Sequence, residues 1–268
     1  MSINKKRFLN HVLSSRDFIL DLIFPIECLG CGTEGVWLCK DCFRQLPIRT
    51  KQYCLNCKKP NEFGEFCPDC APAYALDGVW IAGDYENKII ASLIKNLKYH
   101  FARDLAEILG QFLILFLRNL INKGRIGKTD LGIGINEEKI EKIKKTPEII
   151  FDFKNCLLIP VPLHKKRERW RGFNQVLAIA KTIATHFNLE LSTGLIRLKH
   201  RPPQAKLSEA KRKRNLRNCF AWTGASLANR RVILVDDVVT TGSTLNECAK
   251  ILKQAGASEV WGLVAAKG

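Results

Sequence analysis

The sequence predicts a doubly wound parallel α/β sheet preceded by a small cysteine-rich module. Three observations carry that expectation. After residue 73, short apolar strands alternate with helical stretches, the pattern of successive βαβ units. Four C-x-x-C pairs crowd into residues 28–70. The longest apolar runs, such as 112–117, fall far short of the roughly 18–20 residues that cross a bilayer. With 46% hydrophobic and 26% charged residues over 268 positions, the composition excludes a disordered or membrane-spanning chain. The length leaves room for one or two domains with a small appended module.

Residues 1–24 read as an amphipathic helix. Phe8, Leu9, Val12, Leu13, Phe18, Ile19, Leu22 and Ile23 fit one broad apolar stripe, read as a packing surface ahead of a membrane anchor. Lys5, Lys6 and Arg7 precede it, but Asp17 and Asp21 interrupt the apolar stretch and no small-residue cleavage site follows. That is not a secretory signal, so the expected location is cytoplasmic, with peripheral contact at the inner face of the cell membrane as the other placement.

Residues 25–72 form the cysteine module. The pairs are Cys28/Cys31, Cys39/Cys42, Cys54/Cys57 and Cys67/Cys70. Each C-x-x-C places two thiolates on a tight knuckle, and two knuckles close a tetrahedral site suited to Zn2+. Gly30, Gly32 and Pro68 supply turn chemistry beside the thiols. Eight ligands make two closed, structural zinc sites, one from Cys28, Cys31, Cys39 and Cys42 and one from Cys54, Cys57, Cys67 and Cys70, or the same knuckles interleaved. Disulfides are disfavoured because nothing else in the chain suggests export. So few large apolar groups in some forty residues would need the metal to fold.

Residues 73–268 are expected to make the second domain. Val79, Ile81 and Tyr85 lie in a strand-like run, and 89–117 reads as one or two helices, with the segment around Lys95, Lys98 and His100 taken as helix surface and helix end. Residues 121–153 carry four glycines and a mixed-charge stretch, an inserted and partly mobile excursion. A strand at 156–162 is ended by prolines, and a helix follows from Asn174 to about residue 187. The strand 232–235, a helix over 243–255, Gly256 and a last strand over 260–265 complete the alternation. Cys156, Cys219 and Cys248 are isolated and read as core filling.

The chemistry concentrates at three places. The first follows Val232, Ile233, Leu234 and Val235: Asp236 and Asp237 end an apolar strand, and Thr240, Thr241, Gly242, Ser243 and Thr244 form a hydroxyl-rich turn at a helix start. At the carboxyl edge of a parallel sheet this is a phosphate cradle, built from backbone N–H groups, hydroxyl donors and the positive helix end, with Gly242 permitting close approach. Two carboxylates facing a phosphate would repel it. They suit adjacent sugar hydroxyls or a hydrated Mg2+, and a phosphorylated ribose meets both demands.

The second place is Pro160, Val161, Pro162, Leu163 and His164, then Lys165, Lys166, Arg167, Arg169, Arg171, Asn174 and Gln175, a strand end opening into a basic loop with neutral donors at the next helix start. His164 alone is equally well a hydrogen-bonded structural residue or a proton carrier, and no proton transfer is assigned to it. The third is Arg201, Gln204, Lys206 and Ser208, followed by Lys211, Arg212, Lys213, Arg214 and Asn215. Such a loop can close over a diphosphate or track a nucleic-acid backbone. Trp170, Phe173, Phe220 and Trp222 nearby are base-stacking candidates or core. Between 165 and 217 fifteen Lys and Arg face only Glu168, Glu190 and Glu209, within a chain of net charge +17. That field attracts polyanions, namely nucleic acid, phosphorylated small molecules or an anionic membrane face.

The run Val235-Asp236-Asp237-Val238-Val239-Thr240-Thr241-Gly242 resembles the phosphoribosyl diphosphate (PRPP) loop of type I phosphoribosyltransferases. Together with the cysteine knuckles, P-V-P-L-H with R-G-F-N-Q, and the basic Q-A-K-L-S segment, the chain is similar to the ComF competence-protein family over about 20–120 and 155–268. The resemblance implies a double zinc ribbon fused to a type I phosphoribosyltransferase-like domain, PRPP with Mg2+ at residues 236–244, and pyrophosphate near Lys165, Lys166, Arg167, Arg171, Gln175, Arg201 and Gln204. It further implies handling of single-stranded DNA during natural transformation, alongside DNA-uptake or recombination proteins. Two features depart from the pattern: 121–153 is long, and the run Arg201-Pro202-Pro203-Gln204 has a proline where a threonine is expected. The alternative is an active phosphoribosyltransferase moving phosphoribose from PRPP to a nitrogen acceptor, for which no acceptor pocket is legible.

Overall fold

The computed structural model describes residues 26–99, 104–122, 126–127, 151–153, 155–199 and 219–268. The expected N-terminal helix, nearly all of the 121–153 excursion, and Arg201, Gln204 and residues 206–215 of the third basic segment lie outside these. The chain divides into two compact units, 1–46 and 47–268.

In the first unit, residues 28–33 turn tightly back, with the Cys28 N–H donating to the Thr33 carbonyl at 2.8 Å and Gly32 at φ 77°. Helix α1 (Lys40–Arg44) starts at Cys39, whose sulfur accepts the Cys42 N–H.

The second unit is organised by a five-stranded parallel sheet. Its strands are β3 (Gly78–Asp84), β6 (Cys156–Pro160), β7 (Glu190–Leu191), β10 (Arg231–Val239) and β11 (Glu259–Lys267), in the order β3-β11-β10-β6-β7. The short pairs β1 (Gln52–Tyr53) with β2 (Pro60–Asn61), β4 (Ile126–Gly127) with β5 (Phe151–Asp152), and β8 (Leu195–Arg197) with β9 (Phe220–Trp222) stand apart from it. The helices are α2 (Lys88–Tyr99), α3 (Asp104–Asn122), α4 (Lys165–Arg171), α5 (Gln175–Phe187) and α6 (Ser243–Gln254).

The central strands are apolar on both faces, as a parallel sheet covered on both sides requires. Val232 and Leu234 of β10, Val260 and Val264 of β11 and Val79 and Ile81 of β3 share one core with Leu245, Cys248, Ala249 and Leu252 of α6. Helices α3 and α5 pack together so closely that a Cβ on Gly110 would lie 2.6 Å from the Thr182 side chain. At the β3 edge Trp80 stacks on Trp261 at 5.1 Å, with Phe63 edge-on to both.

Two expectations are corrected. The strand read over 232–235 continues to Val239, because β11 offers paired backbone along that length, so Asp236 and Asp237 sit inside the strand. The basic segment after His164, expected as a loop, is the helix α4. The His164 ring caps it by accepting the Lys166 N–H, Gly172 at φ 70° ends it, and the straight-chain Lys, Arg and Glu between are good helix formers.

Candidate functional site

The site is assembled where β10 runs out of the sheet into α6. Gly242, at φ 72°, turns the chain into the helix and caps it, which only glycine does without strain. Thr241 Oγ1 and Ser243 Oγ lie 2.8 Å apart, so the two hydroxyls of the turn are held together. Thr240 is exposed and Ser243 buried. Free backbone N–H groups at the first turn of a twelve-residue helix, two coupled hydroxyls and an exposed threonine make a cradle suited to a phosphate.

Behind the cradle stand the two acids. Asp237 is buried and ion-paired with Lys98 at 2.8 Å, and it accepts a hydrogen bond from Gln175 Nε2 at 3.3 Å. Asp236 accepts the Asp237 N–H at 2.8 Å. Burial, reinforced by the neighbouring Asp237 charge, pushes the Asp236 carboxyl up to about 7, while Lys98 and Arg197 pull the other way. Burial lowers the pKa of the Arg197 guanidinium, Arg167 adds like-charge repulsion, and the ring of Phe220 lies 5.4 Å beneath it. Asp236, Asp237, Arg167 and Arg197 are thus one electrostatic group.

Gln175 ties the second constellation to the first. Asn174 caps α5 by accepting the Val176 and Leu177 N–H groups, which leaves Gln175 buried and directed to Asp237. Its Oε1 is buried with no hydrogen-bond partner among the described residues. An orphaned buried acceptor beside two carboxylates fits a site that takes a cation or a hydroxyl donor. Arg171 is buried, whereas Lys165 and Lys166 are exposed.

Two contributors were hidden in the sequence. Lys98 read as helix surface, since nothing local shows that the end of α2 reaches Asp237. Arg197 lies on β8, whose pairing with β9 brackets the third basic segment; Leu198 N–H donates to Cys219 O at 2.8 Å where that segment begins and ends. Of the stacking candidates, Phe220 is core, Trp222 is tied through Nε1 to Ala225 O, and Trp170 is 58% exposed.

The eight cysteines resolve into neighbouring sets, not interleaved ones. The sulfurs of Cys28, Cys31, Cys39 and Cys42 lie within 4.8 Å of one another, as do those of Cys54, Cys57, Cys67 and Cys70. Burial opposes ionisation of Cys28 and of Cys54, but surrounding N–H donors outweigh it and bring each thiol down to about 6. Four converging sulfurs, with at least one readily ionised in each set, fit structural zinc in both sites.

The second set is built into the candidate site. Leu55, inside the Cys54–Cys57 knuckle, packs so tightly on Gly242 that a Cβ there would lie 2.5 Å from Leu55 Cδ2. Asn56 donates to Cys70 Sγ at 3.2 Å and accepts from the Tyr74 hydroxyl at 2.9 Å. One residue on, the Ala75 N–H donates to Asn246 Oδ1 of α6 at 2.7 Å.

Comparison with known proteins gives two family models. One described as a double zinc ribbon domain matches residues 19–71, and one described as a phosphoribosyl transferase domain matches 177–266. With the parallel sheet and the cysteine sets, these make the fold a type I phosphoribosyltransferase-like α/β domain with an N-terminal zinc ribbon module. Competence protein F of Haemophilus influenzae is 31% identical over 91% of this chain and 98% of its own length. Competence protein ComFC of Bacillus subtilis is 27% identical over 82% of this chain and 79% of its own. DNA utilization protein YhgH of Escherichia coli K12 is 37% identical over 39% of this chain, a match spanning 47% of that protein.

Proposed function

The chain belongs to the competence protein F family, and from that premise we propose that it binds PRPP with Mg2+ at residues 236–244 and handles single-stranded DNA during DNA uptake. The observation that carries the reading is the convergence on one sheet edge of a hydroxyl-lined helix N-terminus, the buried Asp237 beside the half-buried Asp236, and Arg167, Arg197 and Lys98. The 5-phosphate belongs in the cradle of Thr240, Thr241, Gly242, Ser243 and Thr244. Asp236 and Asp237 take the ribose hydroxyls or hydrated Mg2+, and Lys165, Lys166, Arg167 and Arg171, with Arg201 and Gln204, take the diphosphate. Bound there, Mg2+ would neutralise diphosphate charge. Asp236 and the orphaned Oε1 of Gln175 suit its hydration shell. Reduced thiols that hold zinc agree with a cytoplasmic location, beside the proteins that bring DNA in.

Titration calorimetry of the zinc-loaded protein tests this. PRPP with Mg2+ binds the wild type, and Asp236→Ala with Asp237→Ala together abolish binding while circular dichroism is unchanged; retained affinity refutes the assignment. DNA handling is tested by single-strand affinity with and without PRPP, which changes if occupancy of the PRPP site is coupled to DNA binding.

The match to a phosphoribosyl transferase domain supports the second reading, transfer of phosphoribose to a nitrogen acceptor. Cleavage would break the bond between C1 and the diphosphate oxygen and form one to the acceptor nitrogen. The protein's part would be to hold diphosphate charge and orient the ribose. Pyrophosphate release that depends on an added nucleobase or glutamine would put this reading first.

A further inference from the structure

We propose that a basic, aromatic groove beside the second zinc ribbon is a track for single-stranded DNA that leads to the phosphate loop. The proposal rests on the reading above and assigns the DNA contact to residues outside the basic segments at 165–171 and 201–217.

Two adjoining cavities of about 440 and 640 Å3 share Arg49, Tyr53, Lys58 and Asp84 as walls. The first continues past Lys51 to Pro47, and the second past Tyr85 to Lys267 and Gly268. The inner end touches the candidate site. The Gly268 N–H donates to Val239 O at 2.9 Å, and a Cβ on Gly268 would lie 3.5 Å from the Thr240 side chain. A strand lying in this groove would reach the first residue of the phosphate cradle.

The charges in the groove are arranged for an anion. Burial of Lys267 disfavours its ammonium, and Lys58 and Arg49 add like-charge repulsion. Asp84 engages Arg49, Lys267 Nζ donates to Gly268 O at 2.7 Å, and Glu86 also lines the wall. Phosphates entering between Lys58 and Lys267 would relieve that repulsion. The rings suit unstacked bases: Tyr53 lines both cavities, one face taken by the Arg49 guanidinium 4.7 Å from its ring centre, and Tyr85 lines the second. Cations that follow a backbone, interleaved with aromatic rings, are how proteins hold single strands without reading sequence. A lone phosphate would use neither the length of the two cavities nor the rings.

The test is fluorescence anisotropy of a labelled oligothymidylate on the full zinc-loaded chain across a salt series. Lys58 has φ 63°, so Lys58→Asn removes its charge with a residue that tolerates that backbone, and Lys267→Gln is made with it. PRPP calorimetry in parallel reports an intact fold. The pair is expected to weaken DNA binding at least tenfold and to reduce the salt slope by about 1.4, two single-strand phosphate contacts. Tyr53→Leu is expected to cost fivefold or more. Independently of any variant, a bromouracil-substituted strand crosslinks wild-type protein at Tyr53 or Tyr85. Wild-type affinity and slope in the variants, or crosslinks confined elsewhere, overturn the groove and leave the DNA-handling reading standing. If the wild type binds no single strand at all, that reading falls and the groove with it.

Discussion

Asp237 and Lys98 show how much of this site depends on one pair of charges. Lys98→Ala would leave a buried carboxylate with Gln175 as its remaining side-chain partner among the described residues. We expect a loss of about 1–3 kcal/mol in urea unfolding, below the roughly 3–5 kcal/mol of a broken fully buried pair because Lys98 keeps some solvent contact. Asp236 behaves oppositely. Its carboxyl is raised toward about 7 in the folded chain, so between the unfolded value near 4 and that point the folded state holds the extra proton. Stability therefore falls as pH rises through this window and levels off above it. Asp236→Asn is expected to melt higher than the wild type at pH 8, with the advantage shrinking toward pH 5, as thermal scans at both pH values would show. The candidate residues 236–244 were legible because strand, acids, hydroxyls and glycine are contiguous in sequence. Lys98 and Arg197 were not, since their roles arise from helix and hairpin ends brought in from about 140 and 40 residues away.

At the scale of elements, the ribbon knuckle and the turn at Gly242 are fitted to each other. Gly242 answers two demands, a left-handed turn and contact with Leu55. Gly242→Ala is expected to cost about 1–3 kcal/mol in urea unfolding. Adding Leu55→Ala should return only the steric share, because the backbone strain remains. Helices and strands with strong periods were read to within a few residues. Lys165–Arg171 was not, because its basic composition suggested an anion loop while its propensity favoured a helix, and the His164 and Gly172 caps let propensity win. The hairpin of β8 and β9 escaped notice because three-residue strands flanking a long basic segment leave no alternation to read.

For the molecule as a whole, the cysteine run divides between two compact units, and within the 47–268 unit Cys54, Cys67 and Cys70 pack in the core of the sheet. A metal-release assay should find two zinc ions per chain. Cys54→Ser with Cys57→Ser is expected to lower the melting temperature of the 47–268 unit by roughly 5–10 °C, since metal-binding free energy is folding free energy there. The order of the sheet has a consequence for biosynthesis. Strand β3 leaves a ribosome early in its unit, yet its strand partner in the sheet among the described residues is β11, about 180 residues further along the chain. Until residues 259–267 emerge, Val79, Trp80 and Ile81 have an unpaired edge, and α2 and α3 have an incomplete floor. A nascent chain carries that open edge until β11 has emerged, so stalled chains are expected to engage chaperones and the docking of β11, which brings Trp80 against Trp261, is expected late in folding.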